Sequence, residues 1–141
     1  MKGFAFDRLQ VRMGRLNKDD DLLKQLTEFC LKNEIRAGSL TGIGAVRKAC
    51  LGYYQQDSGK YRELLLDQAL EIASLCGNVS LKDDVPTLHC HIVLADEKGQ
   101  CFGGHLLEGT KVFACEFVVL ATEGGTMPSR QRDPATGLML W

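Results

Sequence analysis

Within Phe4 to Arg12, apolar and polar residues alternate from Phe6 to Arg12 except at the Asp7-Arg8 step, and this period of two predicts a strand carrying one slip or bulge, broken by Gly14 to Asn17. The period then lengthens. Leu22, Leu23, Leu26, Phe29 and Cys30 fall at i, i+1, i+4, i+7 and i+8, the apolar stripe of a helix. Asn17, Asp19, Asp20 and Asp21 supply an N-cap and the acidic first turn that favours the positive end of the helix dipole. Asn33 tolerates a left-handed backbone, so the helix is expected to stop there after about four turns. From Arg36 onwards the chain reads as glycine-bounded β-rich segments at roughly ten-residue spacing, the pattern of an antiparallel sheet. Strands are predicted over 37–44 and 46–54, on either side of a Gly42-Ile43-Gly44 bend, then over 61–66, 71–81, 88–95, 101–107 and 112–122. Turns are expected at Asp57-Ser58-Gly59-Lys60 and Lys82-Asp83-Asp84-Val85-Pro86. The resulting class is α+β, a mainly antiparallel sheet with one principal helix packed on one face.

No repeat, low-complexity tract or linker divides the chain, so a single domain over 1–141 is expected, with its core at about 5–122. The tail, 123–141, carries Gly124-Gly125, Pro128 and Pro134 and reads as a loop. Its end, Leu138-Met139-Leu140-Trp141, is too apolar to hang free and is expected to dock on the body or on a neighbouring subunit.

Charge narrows the function classes. With 17 basic and 18 acidic residues the net charge is −1, so the overall field does not attract nucleic acid or an anionic membrane, and a nucleic-acid role needs a local basic patch. No apolar run approaches a membrane span, and Met1-Lys2-Gly3-Phe4 lacks the apolar stretch of a signal peptide; a cytoplasmic protein is expected. The six cysteines stand singly in apolar segments without a Cys-x-x-Cys pair, which reads as buried small hydrophobes in a reducing compartment.

The chemistry concentrates in one hairpin. Asp96-Glu97-Lys98-Gly99-Gln100 is a turn between two apolar runs, and centring it on Lys98 sets His91 opposite His105. Alternation puts His89 and His91 on one face, with Cys90, Ile92 and Leu94 on the other. A one-residue slip would send His105 elsewhere, and Gly103-Gly104 suits either a bulge or a close backbone approach. All three histidines of the chain thus meet on one predicted face. Neutral imidazoles so arranged suit a divalent metal, zinc first, with positions open to water or ligand. The plainer alternative is three half-buried strand residues. Glu116 on the next strand is either a fourth ligand, a carboxylate orienting the ligands, or a surface charge. The spacing does not match a cupin, because Glu97 lies five residues beyond His91 and in the turn. His-Glu-x-x-His, Gly-x-Ser-x-Gly and a phosphate-binding Gly-x-x-x-x-Gly-Lys-Ser/Thr loop are absent, so no nucleophile is nominated.

Thr41-Gly42-Ile43-Gly44-Ala45-Val46, Leu75-Cys76-Gly77-Asn78, His89-Cys90-His91 and Gly103-Gly104-His105-Leu106, followed by Glu116, resemble the plants-and-prokaryotes conserved domain over about residues 5–122. That domain is joined to AT-hooks in plant nuclear proteins and stands alone in prokaryotes as a predicted DNA-binding protein with a PD1-like motif. The resemblance implies an antiparallel sheet of seven to eight strands, a homotrimer, and a metal on His89, His91 and His105. The plant proteins read the minor groove through Arg-Gly-Arg-Pro, whereas this chain offers only Met13-Gly14-Arg15. Its nearest basic patch is Arg8, Arg12, Arg15 and Lys18, with Arg47 and Lys48, which a solvated sheet edge explains equally well. Two functions follow. One is a trimeric binding or regulatory module, DNA-associated or ligand-sensing, with a three-histidine metal site. The other is a metalloenzyme acting on a small molecule at that site.

Overall fold

The computed structural model describes residues 2–141; Met1 lies outside them. β1 (Arg8–Leu16) leads to α1 (Leu22–Lys32), followed by β2 (Gly38–Gln55), β3 (Lys60–Leu66), β4 (Leu70–Lys82), β5 (Val85–Ala95), β6 (Cys101–Leu106) and β7 (Lys111–Glu123). A short hairpin, β8 (Gln131–Arg132) and β9 (Met139–Leu140), ends the chain. The seven longer strands form one antiparallel sheet in the order β1-β7-β2-β4-β5-β6, with β3 on β2, so the α+β architecture with a single helix is the one expected.

The strand β2 organises the molecule. One of its edges pairs first with β4 and then with β3, the other with β7 and then with β6. Because β4, β5 and β6 also pair in sequence, β2 closes a four-stranded ring in which Leu51 and Gly52 meet Leu106 and His105. The two strands predicted on either side of Gly42-Ile43-Gly44 are therefore one. The bend is a bulge, with Gly44 at φ 140° and a register shift between Gly42 and Gly44, which curves β2 without ending it.

β1 likewise runs through Gly14, which was expected to break it. Gly14 pairs with Phe117, whose ring occupies the space a side chain would take. That ring packs edge-on against Phe29 of α1 at 4.8 Å between centroids, tying helix to sheet. Leu22, Leu26 and Cys30 are fully buried, and Leu23 and Phe29 pack partly buried against the same core.

The helix stops at Asn33 as expected, but it is shorter than four turns and its left-handed residue lies one position further on. Its N-cap is Asp21, whose Oδ1 accepts from the Lys24 amide at 3.2 Å while Oδ2 accepts from the Gly109 amide at 2.7 Å. It spans 11 residues, three turns. The left-handed residue is Glu34 at φ 54°, with Asn33 still at φ −101° and its side chain donating to the Phe29 carbonyl.

All six cysteines are free. Cys30, Cys90 and Cys115 are buried as expected, but Cys76 and Cys101 are exposed. Cys76 occupies an outward phase of β4, directly across from His91. Among the described residues no helix is long and apolar enough to cross a membrane.

Candidate metal centre

Two tight turns build the site. Asp83 and Asp84, at φ 51° and 63°, make the two-residue connection from β4 to β5, a geometry whose twist matches the flanking strands. Asp96 closes the next hairpin by accepting from the amides of Lys98 and Gln100 at 2.8 and 2.9 Å, and Gly99 supplies the left-handed position. The register then follows without slip: Ala95 faces Cys101, Ile92 faces Gly104, and His91 faces His105 as predicted. Gly104 is a point of close approach, since a Cβ there would lie 2.9 Å from the Gly52 carbonyl oxygen. Cys90, Ile92 and Leu94 are buried on the inward phase, which turns His89 and His91 outward.

The three imidazoles converge. Ring centroids are 5.2 Å apart for His89 and His91, 4.9 Å for His89 and His105 and 5.5 Å for His91 and His105. One nitrogen from each lies within 4.8 Å of the others. His89 and His105 are half-buried, while His91 is exposed and leaves one side open. Burial, followed by the charges of His105, Arg130 and His91, pushes the pKa of His89 down to about 4. Burial also lowers that of His105, with His91 and Arg130 adding to it. Both rings are therefore neutral near pH 7, the state that ligates a metal. His105 Nδ1 is buried without a hydrogen-bond partner, a cost the fold carries unless something ligates it. This donor set fits a borderline divalent ion.

Beside the histidines lies a cavity of about 360 Å³, lined by His89 and His105 together with Tyr54, Tyr61, Lys82 and Arg130. Arg130 is 8% exposed. It comes from the tail, which lies along β4: the Leu81 amide donates to Pro128 at 2.8 Å and the Arg130 amide to Leu81 at 2.7 Å. Sequence reasoning missed Arg130, Lys82, Tyr54 and Tyr61, because no spacing links them to the hairpin. The one signal was the apolar end of the tail, whose Leu138, Met139 and Leu140 wall the cavity.

Glu116 is not brought to the histidines. It sits on β7, with β2 and β4 between it and β5, three strand spacings or roughly 14 Å away. The predicted basic residues do not make one patch either. Arg8 and Arg12 share one face of β1, and Arg15 points to the other with Leu9, Val11 and Met13. Arg47 is held by Asp19 at 2.8 Å, Lys18 lies over Phe113, and Lys48 pairs with Lys111 on the β2–β7 ladder.

The model of the Plants and Prokaryotes Conserved (PCC) domain matches residues 5–123. Among curated proteins, the bifunctional protein GlmU of two Synechococcus strains is 34% identical over 132 residues, 93% of this chain but only 20% of that protein's length. Among solved structures, a metal-containing protein of Archaeoglobus fulgidus is 43% identical with a TM-score of 0.94, covering 100% of this chain and 99% of its own. A candidate DNA-binding protein of Bacteroides thetaiotaomicron is 28% identical with a TM-score of 0.85, covering 97% and 95% respectively.

Proposed function

The chain belongs to the Plants and Prokaryotes Conserved domain family, and from its histidine cluster we propose that it is a binding or regulatory module holding a divalent metal, zinc, on His89, His91 and His105. The observation that carries this is the convergence of three imidazoles around a buried, unpartnered His105 Nδ1. The Archaeoglobus neighbour, a metal-containing protein, supports it. Three nitrogen donors with an open side favour zinc among the borderline ions. Elemental analysis of protein purified without chelator should give one zinc per chain, and His91→Ala should bring the content close to background. Equal metal content in the variant would remove the site.

The module works as a homotrimer in this reading. The sheet face bearing Leu9, Val11, Met13 and Ile43 supports self-association, because these side chains are 58–74% exposed on β1 and β2, the two strands that flank β7. Light scattering should return three times the 15.6 kDa chain mass, and a monomer would exclude it. DNA is the proposed partner on the strength of the Bacteroides neighbour. With the basic residues divided between faces, duplex binding should be weak and salt-sensitive, present at about 50 mM salt and lost by about 200 mM. No binding at the lower salt would remove DNA as a partner.

A second reading, a metalloenzyme acting on a small molecule, is favoured by the cavity at His89 and His105. Zinc held there would supply a Lewis acid or an activated water.

A further inference from the structure

Arg130 is a buried cation that no carboxylate among the described residues pairs with. Its Nε donates to Ser80 Oγ at 2.7 Å, Nη1 to the Met139 carbonyl at 3.0 Å and Nη2 to Asn78 Oδ1 at 2.6 Å. All three acceptors are neutral, and no carboxylate among the described residues forms an ion pair with it. A guanidinium has five N–H donors, so one remains on each terminal nitrogen. The cavity that Arg130 lines also takes Lys82, Tyr61 and Thr87 but no acidic residue. Asn78 is the cross-strand partner of His89, so the same short stretch of sheet holds the guanidinium beside the imidazole cluster. If Arg130 only fastened the tail to β4, a neutral donor would do so without the cost of burying an unpaired charge.

We infer that this cavity binds a small carboxylate, with Arg130 gripping the carboxylate group, Lys82 at the rim, and an adjoining oxygen of the ligand directed at the metal on the histidines. The inference rests on the metal reading for that second contact alone. A planar guanidinium matches the two oxygens of a carboxylate, and the charge it receives offsets both the buried Arg130 and the metal. Leu138, Met139 and Leu140 give the ligand an apolar wall, which suits a carboxylate on a carbon skeleton better than a bare phosphate.

The test follows the Arg130 Nε–H resonance in zinc-loaded protein titrated with glycolate, glycolamide and inorganic phosphate. Glycolate should shift it saturably and bind roughly tenfold or more tightly than either of the others. Arg130→Met should abolish binding and Lys82→Met weaken it several-fold, both at unchanged zinc content. Should Arg130→Met fail to fold, the wild-type titration and Lys82→Met decide the matter alone. Equal affinity for glycolamide, tighter binding of phosphate, or an Arg130 resonance that stays still at saturating glycolate would overturn the inference. Zinc retained with Arg130 silent defeats the carboxylate site and leaves the metal site standing. Arg130 responding in protein that takes up no zinc does the reverse.

Discussion

Gly77→Ala is expected to destabilise the fold by about 3 kcal/mol and to weaken zinc binding with it. Gly77 lies on β4 opposite Cys90, one residue from the Asn78–His89 pair. A Cβ there would stand 2.4 Å from the His89 carbonyl oxygen and 2.5 Å from Cys90 Sγ. Cys90 is buried and has no room to swing away, and the other obstacle is backbone, so β5 itself must shift. That shift moves the strand from which His89 and His91 project, which couples a packing defect to the metal site. Gly103→Ala is the control. Its Cβ would meet the Ile92 carbonyl oxygen at 3.3 Å and Val93 at 3.6 Å, so it should cost less than about 1 kcal/mol and leave zinc affinity unchanged. Denaturant unfolding and competitive zinc titration measure the two effects. Equal losses in both variants would show that general strain, rather than the position of β5, sets the affinity.

What the sequence made legible was local. The hairpin register could be read because Asp96 and Gly99 fix the turn and a period of two does the rest; a slip would have exposed Cys90, Ile92 and Leu94. The apolar helix stripe was equally plain. The failures share a cause, the influence of residues distant along the chain. Gly14 and Gly42-Ile43-Gly44 resemble strand ends in isolation, yet Phe117 fills the space above one and the curvature of β2 makes use of the other. Glu116 and Arg15 pair across strands β7 and β1, far from the histidines, a placement that only the strand order reveals. Arg130 was invisible for the same reason: it is 25 residues beyond His105 in a segment without regular pattern, and only tail packing brings it to the cavity.

Chelation of the metal should lower the melting midpoint by about 10 °C. A ligand present at a thousand times its dissociation constant and bound only by the folded state contributes about 4 kcal/mol, and a chain of this size shifts by roughly 2–4 °C per kcal/mol. A metal held by the three histidines would act at the end of β6 away from its turn. The hairpin is closed at its Asp96 end, while β6 is six residues long and meets β2 only through His105 and Leu106, so ligation by His105 would clip β6 to β5 at the far end. Without a ligand His105 Nδ1 stays buried and unpartnered, which itself costs about 1–3 kcal/mol. The metal-free protein should then weaken further in acid. Its folded state holds His89 at about 4, below the ordinary 6.5, so the unfolded chain takes up that proton first. The stability that neutral His89 confers is intact above pH 6.5 and is lost as pH falls towards 4. His91→Ala protein should melt at the same temperature with and without chelator. A chelator shift as large in this variant as in the wild type would mean that the stabilising ion sits elsewhere, and that the three histidines are ordinary strand residues after all.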